Sequence, residues 1–284
     1  KVCKAGACVS AVPSKPCNGH VPITIPAGSF FRGCNPNSQI EKDADKAMLN
    51  TGNWPGCEAL KGLGGAYADS ALYEKVVLPT YHIDKNEVTV GQYKACAKVG
   101  SCTLPTKFDG KGGNTKACVG DASPIDNWEQ PDEQARPIRC LTVKQAKEYC
   151  DHVGGRLPTP NEWEKAARGG CELHKSLLAC QDDSPRYPWG DGPPTCNNVT
   201  CGSKWSPVGS TPAGASPYGV LDMAGGVANI VTTYSTSPNS QVRGSFGLVT
   251  GFVGQFPDSL RVYSVMGTQN FDLLLGDVVG FRCA

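Results

Sequence analysis

The 284-residue sequence lacks most of the features that assign a chain to a common functional class. No apolar run approaches the roughly 18 residues that a membrane-spanning helix requires. The formal net charge is only +1, without a basic cluster for nucleic acid or an acidic tail. There is no CxxC pair, which argues against zinc ribbons and thioredoxin-like motifs, and no P-loop or GxGxxG. We therefore expect no transmembrane segment and no nucleic-acid partner.

Cysteine, in contrast, is abundant, with 15 residues that follow no metal-binding pattern. Such a density indicates disulfides, and disulfides persist in oxidising compartments. We expect an extracellular or cell-surface protein that is secreted, periplasmic or a lipoprotein. Residue 1 is lysine, so the chain is expected to begin after processing or to be an excised piece. A lipid anchor upstream is left open.

Sequence neighbourhood predicts five disulfides. Three would close short loops and two would close longer ones, in the pairs Cys96–Cys102, Cys171–Cys180, Cys196–Cys201, Cys34–Cys57 and Cys118–Cys140. The cysteines left over are Cys150, Cys283 and three near the N-terminus, Cys3, Cys8 and Cys17.

The pattern of apolar residues predicts an α+β domain with much irregular coil. Residues 1–20 read as a cysteine-containing arm or linker, and residues 21–284 as one domain. Strands are expected within 21–33 and 73–83, and a weak helix near 44–49. With 34 glycines and 22 prolines, loops should dominate. After residue 170 we expect only short strands and turns.

Three helices are predicted from their N-terminal threonines, Thr89, Thr142 and Thr159. The third, in GGRLPTPNEWEKAARGG, has the most signals. Pro160 stands at the first helical position, and Glu162 completes a capping box with Thr159. Trp163 and Ala166 then fall on one face. This helix is expected to anchor the fold.

Together the motifs resemble the formylglycine-generating enzyme, or sulfatase-modifying factor, family. The resemblance covers most of residues 21–284 and rests on IPAGSFFRG, IDKNEVTVGQY, PIRCLTVKQAKEYCDHVGGRLPTPNEWEKAARGG, YPWGD, PVGSTPAGASPYGVLDMAG, VRGSF and GFRCA. It implies the family's variant of the C-type lectin fold, in a style similar to secreted or lipoprotein versions from bacteria. It also implies a Cys150–Cys283 disulfide, which leaves the odd cysteine among Cys3, Cys8 and Cys17.

The copper chemistry of that family is not expected here. Family members bind copper through two thiolates, and the resemblance places those positions at Leu248 and Val253. Soft thiolates suit Cu(I), whereas aliphatic side chains bind no metal. Residues 246–282 contain neither cysteine nor histidine. The three-histidine iron site of related sulfoxide synthases depends on another domain, and the four histidines here do not cluster in sequence. We expect no required cofactor and no copper.

The resemblance also implies a weakened calcium site. The family usually has DMAGNVWEWV, in which an Asn and a Glu hold calcium, whereas this chain has DMAGGVANIV, with Gly226 and Asn229 at those positions. Calcium prefers six to eight oxygens, some of them anionic. A second family site uses an Asn that corresponds to Asn197 or Asn198. Calcium at Asn198 and Asn229 is kept as an alternative to no metal.

The segment 226–280, called the C-terminal face below, keeps only the structural marks of the family. One interpretation is a ligand-contacting face, as in the variable proteins of diversity-generating retroelements, which share this fold. Its contact residues would be Phe246, Phe252, Gln255, Phe256, Tyr263, Met266, Gln269 and Phe271. Aromatic side chains concentrate binding energy when they fill partner pockets. The alternatives are that about half of these residues are core, or that the face packs on another copy.

The sequence therefore predicts a non-catalytic extracellular binding or structural module. Its partner would be a protein, a glycan or copies of itself. The alternative is an enzyme of the same family with altered oxidative chemistry.

Overall fold

The structure is a computed structural model, and it describes a little under two thirds of the chain. The described residues are 20–39, 41–43, 57–58, 61, 72–104, 129–183, 185–200, 205–232, 241–244, 262, 265–267 and 279–284. The weak helix predicted near residues 44–49 lies outside them, as do Cys3, Cys8 and Cys17.

Four short strands form two antiparallel pairs early in the chain. They are β1 (Pro22–Ile25), β2 (Gly28–Arg32), β3 (Glu74–Leu78) and β4 (Tyr81–Asp84). The sequence predicts all four strands. β1 and β2 do not pair with each other, although they are neighbours in sequence. Instead β1 pairs with β4, and β2 pairs with β3.

The three predicted helices are confirmed. They are α1 (Val90–Lys98), α2 (Val143–His152) and α3 (Pro160–Arg168). Each begins after a threonine whose side chain accepts a hydrogen bond from the backbone N–H three residues on. In each case that third residue, Gln92, Gln145 or Glu162, bonds back to the threonine N–H. These capping boxes satisfy N–H groups that the first turn of a helix leaves without partners.

A fourth helix was missed, and the expectation of only strands and turns after residue 170 is wrong. Helix α4 (Leu177–Asp182) follows a 3₁₀ turn at Cys171–Leu173. It has six residues, begins at a Ser176 cap, and is joined at Cys180 to Cys171 by a disulfide. Six residues are too few to show a helical periodicity in the sequence. The cap and the disulfide, rather than a long apolar face, stabilise this helix.

The second half of the chain contributes a four-stranded sheet in the order β7-β6-β5-β8. Its strands are β5 (Ala228–Val231), β6 (Gln241–Arg243), β7 (Val265–Gly267) and β8 (Val279–Gly280). β5 pairs with β6 in antiparallel and with β8 in parallel orientation. Because β8 ends at Gly280, the first residue of GFRCA, this pairing places the C-terminus beside the DMAGGVANIV segment.

Two large clusters of buried apolar side chains, and a smaller one of Tyr187, Val199 and Ala224, form the core of the described residues. One joins α1 and α2 to β5 and β8, and Tyr149 at its centre stacks on Tyr93 and meets Phe281 edge-on. The other surrounds α3, where the fully buried Trp163 packs with Ile25 and Ile83. The few helices, short strands and abundant coil agree with the predicted α+β fold.

Four predicted disulfides are confirmed, namely Cys34–Cys57, Cys96–Cys102, Cys150–Cys283 and Cys171–Cys180. Cys140 and Cys196 are also disulfide-bonded. Their predicted partners, Cys118 and Cys201, lie outside the described residues. Of the helices that the described segments form, none has the length and apolar character required to cross a membrane.

Removing the Cys150–Cys283 disulfide should destabilise the domain more than removing a local one. It closes 133 residues of chain, whereas Cys171–Cys180 closes nine. The loop-entropy relation gives losses of about 5 and about 2.5 kcal/mol for the two. Urea unfolding of the two Cys→Ala double variants, C150A/C283A and C171A/C180A, without reductant measures the difference. Equal losses would contradict a dominant role for the long-range cross-link.

Candidate functional site

The segment Asp222–Val231 turns sharply and then enters β5. Gly226 has a φ of 70°, in the left-handed region. Glycine adopts this conformation at little cost, and asparagine is among the few other residues that tolerate it. The replacement of the family Asn by Gly226 therefore keeps the backbone turn and removes a side-chain oxygen. A Cβ at this position would lie 3.8 Å from the Glu87 carboxylate.

Asn229, at the family's Glu position, is a buried hydrogen-bonding hub in β5. It is 1% exposed. Its Oδ1 accepts from Trp163 Nε1 at 3.2 Å and from Arg282 Nε at 2.5 Å. Its Nδ2 donates to Glu87 Oε1 at 2.9 Å and to the Val227 carbonyl at 3.1 Å. A side-chain amide has two acceptor sites and two donor hydrogens. All four are therefore used within the protein.

Arg282 of the GFRCA segment fixes the other side of this hub. Besides Asn229, its guanidinium donates to the carbonyls of Asp84 and Lys85, both at 3.2 Å, and of Asp222 at 3.0 Å. Arg282 is fully buried. Burial lowers its pKa, and the carboxylates of Glu87, Asp222 and Asp84 raise it again. The arginine thus balances the acidic groups around the hub.

Glu87, from the NEVT motif, supplies a carboxyl group that is 3% exposed. Burial is the main cause that raises its pKa well above the ordinary value, and the Asp222 carboxylate raises it further. Arg282 and the hydrogen bond from Asn229 act in the opposite direction. Burial also raises the pKa of Asp222, against the hydrogen bond that it accepts from the Gly209 N–H. The cluster therefore favours a neutral Glu87.

A small cavity of about 110 Å³ borders this cluster and is lined by Glu87, Asp84 and His20, among others. His20 Nδ1 lies 2.9 Å from the Asp84 carboxylate, and its Nε2 lies 2.6 Å from the Tyr149 hydroxyl. Asp84 also accepts from the Cys283 N–H at 3.1 Å. These contacts tie the start of the described chain to its C-terminus. Tyr149 is fully buried, which leaves its hydroxyl inaccessible to a substrate.

A second buried charge cluster supports the start of the C-terminal face. Arg243, at the end of β6, donates to Glu164 at 3.1 Å, and Arg168 lies 3.2 Å from the same carboxylate. Glu164 also accepts from the Gly33 N–H at 2.6 Å. Glu164 is only 1% exposed, although it is a charged residue of a helix. Helical periodicity shows which residues lie on the same face of α3. It does not show which charged side chains from other elements contact that face.

Most of the predicted contact residues of the C-terminal face lie outside the described residues. These are Phe246, Phe252, Gln255, Phe256, Tyr263, Gln269 and Phe271, and the family copper positions Leu248 and Val253 lie there too. Met266 is in β7, opposite Val242 of β6. The binding-face interpretation therefore stays a prediction.

The two predicted calcium ligands have separate surroundings. Asn198 Oδ1 accepts from the Thr195 N–H at 2.7 Å, in a half-buried turn. Asn229 belongs to the hub, where neither lone pair of its Oδ1 is free for a cation. With Gly226 offering no side chain, the donor set at the hub does not fit calcium as the family binds it. Calcium at Asn198 and Asn229 stays an untested prediction.

The described residues contain one group of close potential metal ligands, Cys34, Glu41 and Cys57. The two sulfurs are bonded to each other. A disulfide offers no thiolate, so this group does not fit copper or zinc. Every cysteine that the structure describes is disulfide-bonded.

Sequence reasoning gave no role to Glu87, Asp84 or Arg282, although it quoted the motifs that contain them. The available signal was a charged residue inside an otherwise apolar motif, as in GFRCA. Such a residue must find partners when it is buried.

The comparisons with known proteins place the chain in a family. The model of the sulfatase-modifying factor enzyme 1-like domain matches residues 10–284. A hercynine oxygenase from Mycolicibacterium thermoresistibile is 38% identical over 100 residues, which are 34% of this chain and 20% of that protein. An inactive C-alpha-formylglycine-generating enzyme 2 from Mus musculus is 30% identical over 181 residues, which are 55% of this chain and 54% of that protein. The matched region thus spans only part of each relative.

Among solved structures, PvdO from Pseudomonas aeruginosa has a similar fold. The TM-score is 0.59 at 19% identity, with 99% of this chain and 98% of that chain covered. The chain therefore has the C-type-lectin-like fold of the formylglycine-generating enzyme type.

Replacing Asn229 should cost much more stability than replacing Asn198. Asn229→Ala leaves the Trp163 and Arg282 N–H groups and the Glu87 oxygen without their partner, at about 1–3 kcal/mol for each buried group. We expect a total loss of about 3 kcal/mol or more. Asn198→Ala removes bonds in a half-exposed turn and should cost less than about 1 kcal/mol. Urea unfolding measures both, and similar losses would argue against the hub.

Glu87 should make the domain less stable as the pH rises. Its folded pKa lies above the ordinary 4.5, so folding takes up a proton between these two values. The free energy of unfolding then falls with rising pH in that window, by at most about 1.4 kcal/mol per pH unit for one proton. Glu87→Gln, which resembles the neutral carboxyl, should flatten this slope.

Urea unfolding from acidic to neutral pH tests the expectation. Glu129→Gln is the matched control, since that side chain is 82% exposed in its ion pair with Lys94. The control should keep the wild-type slope. If the free energy of unfolding of Glu87→Gln depends on pH as steeply as that of the wild type, the pKa of Glu87 is the same in the folded and unfolded states. That result would contradict the expectation.

Proposed function

The chain belongs to the sulfatase-modifying factor enzyme 1-like domain family. We propose that it acts as a non-catalytic binding or structural module. Its scaffold is that of the formylglycine-generating enzymes. The module would use its C-terminal face, residues 226–280, to contact a protein, a glycan or another copy of itself. It would require neither copper nor calcium.

The observation that carries this proposal is the lack of an available thiolate where the family holds copper. The family resemblance assigns the two positions to Leu248 and Val253, and residues 246–282 contain no cysteine. All cysteines within the described segments are engaged in disulfides. Cu(I) requires soft ligands, and neither aliphatic side chains nor disulfide sulfurs replace thiolates.

The contacts beneath the C-terminal face support a role in binding. Arg243 and Asn229 hold β6 and β5 to α3 through Glu164 and Trp163. These bonds join buried side chains, so they hold both strands from within the fold. A face carried on strands held in this way suits recognition, because binding residues are usually displayed on a rigid scaffold.

We further propose an extracellular or cell-surface location. The four described disulfides include a buried long-range cross-link between Cys150 and Cys283. Such bonds persist in secreted, periplasmic or surface-attached proteins and are rare in a reducing cytosol.

An enzyme with altered oxidative chemistry is the second candidate. It is favoured by the similarity to the hercynine oxygenase, which is named as an enzyme. The similarity to the inactive C-alpha-formylglycine-generating enzyme 2 favours the first candidate.

Copper binding and oxidation separate the two candidates. We expect no stoichiometric Cu(I) uptake in competition with a chelator. We also expect no mass change in a cysteine-containing peptide incubated with the protein, copper and O₂. A formylglycine-generating enzyme assayed in parallel is the positive control.

The variant Leu248→Cys/Val253→Cys restores the two thiols and is the matched comparison for copper uptake. Tight stoichiometric copper binding by the wild type, or oxidation of the peptide, would overturn the non-catalytic proposal.

A further inference from the structure

A cavity of about 510 Å³ lies outside the site described above. It opens between the ends of α3 and α4, the turn at Tyr187–Gly190 and residues 215–217. Its volume lies within the range of about 300–1,000 Å³ that is usual for ligand pockets. Its described lining residues come from positions 168–191 and 215–217.

One wall of the cavity is the indole ring of Trp189. This ring stacks on Tyr187 with centroids 5.0 Å apart and planes inclined by 8°. Its Nε1 donates to the Gly192 carbonyl at 2.9 Å. Tyr187 is buried and covers one face of the indole, whereas Trp189 itself lines the cavity. The aromatic wall is therefore held in a fixed orientation before any ligand arrives.

The cavity also has an excess of negative charge. Asp183 and Asp191 are exposed lining residues. The one lining arginine, Arg168, lies 3.2 Å from Glu164 and donates to the carbonyls of Phe31 and Gly33, so its charge is compensated within the fold. His174 lies 3.6 Å from Asp183. Even with a protonated His174, the lining residues that the structure describes leave one carboxylate without an opposing charge.

An apolar ridge borders the cavity. Leu173, Leu177 and Leu178 have exposures of 49%, 48% and 66%, and Leu173 itself lines the cavity. The disulfide between Cys171 and Cys180 fixes the loop that carries them. Exposed leucines on a cross-linked loop favour contact with an apolar residue of a partner at little ordering cost.

We propose that this cavity binds the guanidinium group of an arginine side chain presented by a partner polypeptide. A planar guanidinium stacks on an indole face and at the same time pairs with carboxylates, which a compact ammonium does less well. The leucine ridge contacts an apolar residue beside that arginine. This proposal does not depend on the function proposed for the C-terminal face.

Three small probes test the proposal by titration followed by NMR. They are N-acetyl-arginine amide, the same compound with citrulline, and N-acetyl-leucyl-arginine amide. Citrulline keeps the shape of arginine without its charge. We expect the arginine probe to bind with a Kd on the order of 1 mM. The citrulline probe should bind at least about tenfold more weakly, and the leucyl-arginine probe more tightly.

Variants of the lining residues locate the binding. In the wild type, Asp191 Oδ1 accepts a hydrogen bond from the Arg186 N–H at 3.0 Å. Asp191→Asn keeps an oxygen for this bond but removes the charge. It should weaken binding of the arginine probe by about fivefold or more. Trp189→Leu should weaken it similarly. Asp182→Asn is the matched control, because Asp182 is an exposed neighbour of Asp183 that does not line the cavity. It should leave the affinity unchanged.

Three outcomes would overturn the proposal. They are equal binding of the arginine and citrulline probes, no saturable binding of either, and equal effects of Asp191→Asn and Asp182→Asn. If the arginine and leucyl-arginine probes bind with equal affinity, the proposal that the leucine ridge contacts a partner polypeptide is overturned. Circular dichroism of each variant separates loss of binding from loss of folding. Should Trp189→Leu fail to fold, Asp191→Asn still decides the question.

Discussion

The guanidinium of Arg282 joins parts of this domain that are far apart in sequence. It is fully buried, and it donates to backbone carbonyls at the end of β4, to the carbonyl of Asp222 and to the amide of Asn229. A buried cation is costly unless its hydrogen bonds and its charge are both satisfied. Here carbonyls supply the bonds, and Asp222 and Asp84 supply the opposing charge. The next residue, Cys283, forms the long-range disulfide with Cys150. The buried guanidinium and the disulfide therefore hold the C-terminus at adjacent residues.

This arrangement closes the hub with groups of the chain itself. The family resemblance implies Asn and Glu where this chain has Gly226 and Asn229. The Asn229 amide donates a hydrogen bond to Glu87, whereas an ionised carboxylate at this position has no hydrogen to donate. Asn229 thus contacts Glu87 without adding a second negative charge. The left-handed turn at Gly226 is a conformation that asparagine also tolerates.

The same separation between scaffold and surface applies to both candidate binding regions. Arg243 and Glu164 secure the start of the C-terminal face from below. The Trp189 cavity is secured differently, by the Tyr187 stack and by the Cys171–Cys180 disulfide on its rim. In each case buried groups hold the backbone of the region that would contact a partner. Surface loops on a rigid scaffold can therefore change while the core stays constant.

The sequence by itself determined the local elements and their family. Threonine caps and capping boxes specified three helices, alternation specified the early strands, and the ordered motifs specified the fold. These signals are readable because each involves residues within a few positions of one another. Only the tertiary structure decided which strands pair, where Glu164 is buried and that Asn229 is saturated by Trp163, Glu87 and Arg282. Those contacts join residues 53 to 142 positions apart. Neither propensity nor periodicity carries information over such distances, because the partners are chosen by packing and charge balance in the folded chain.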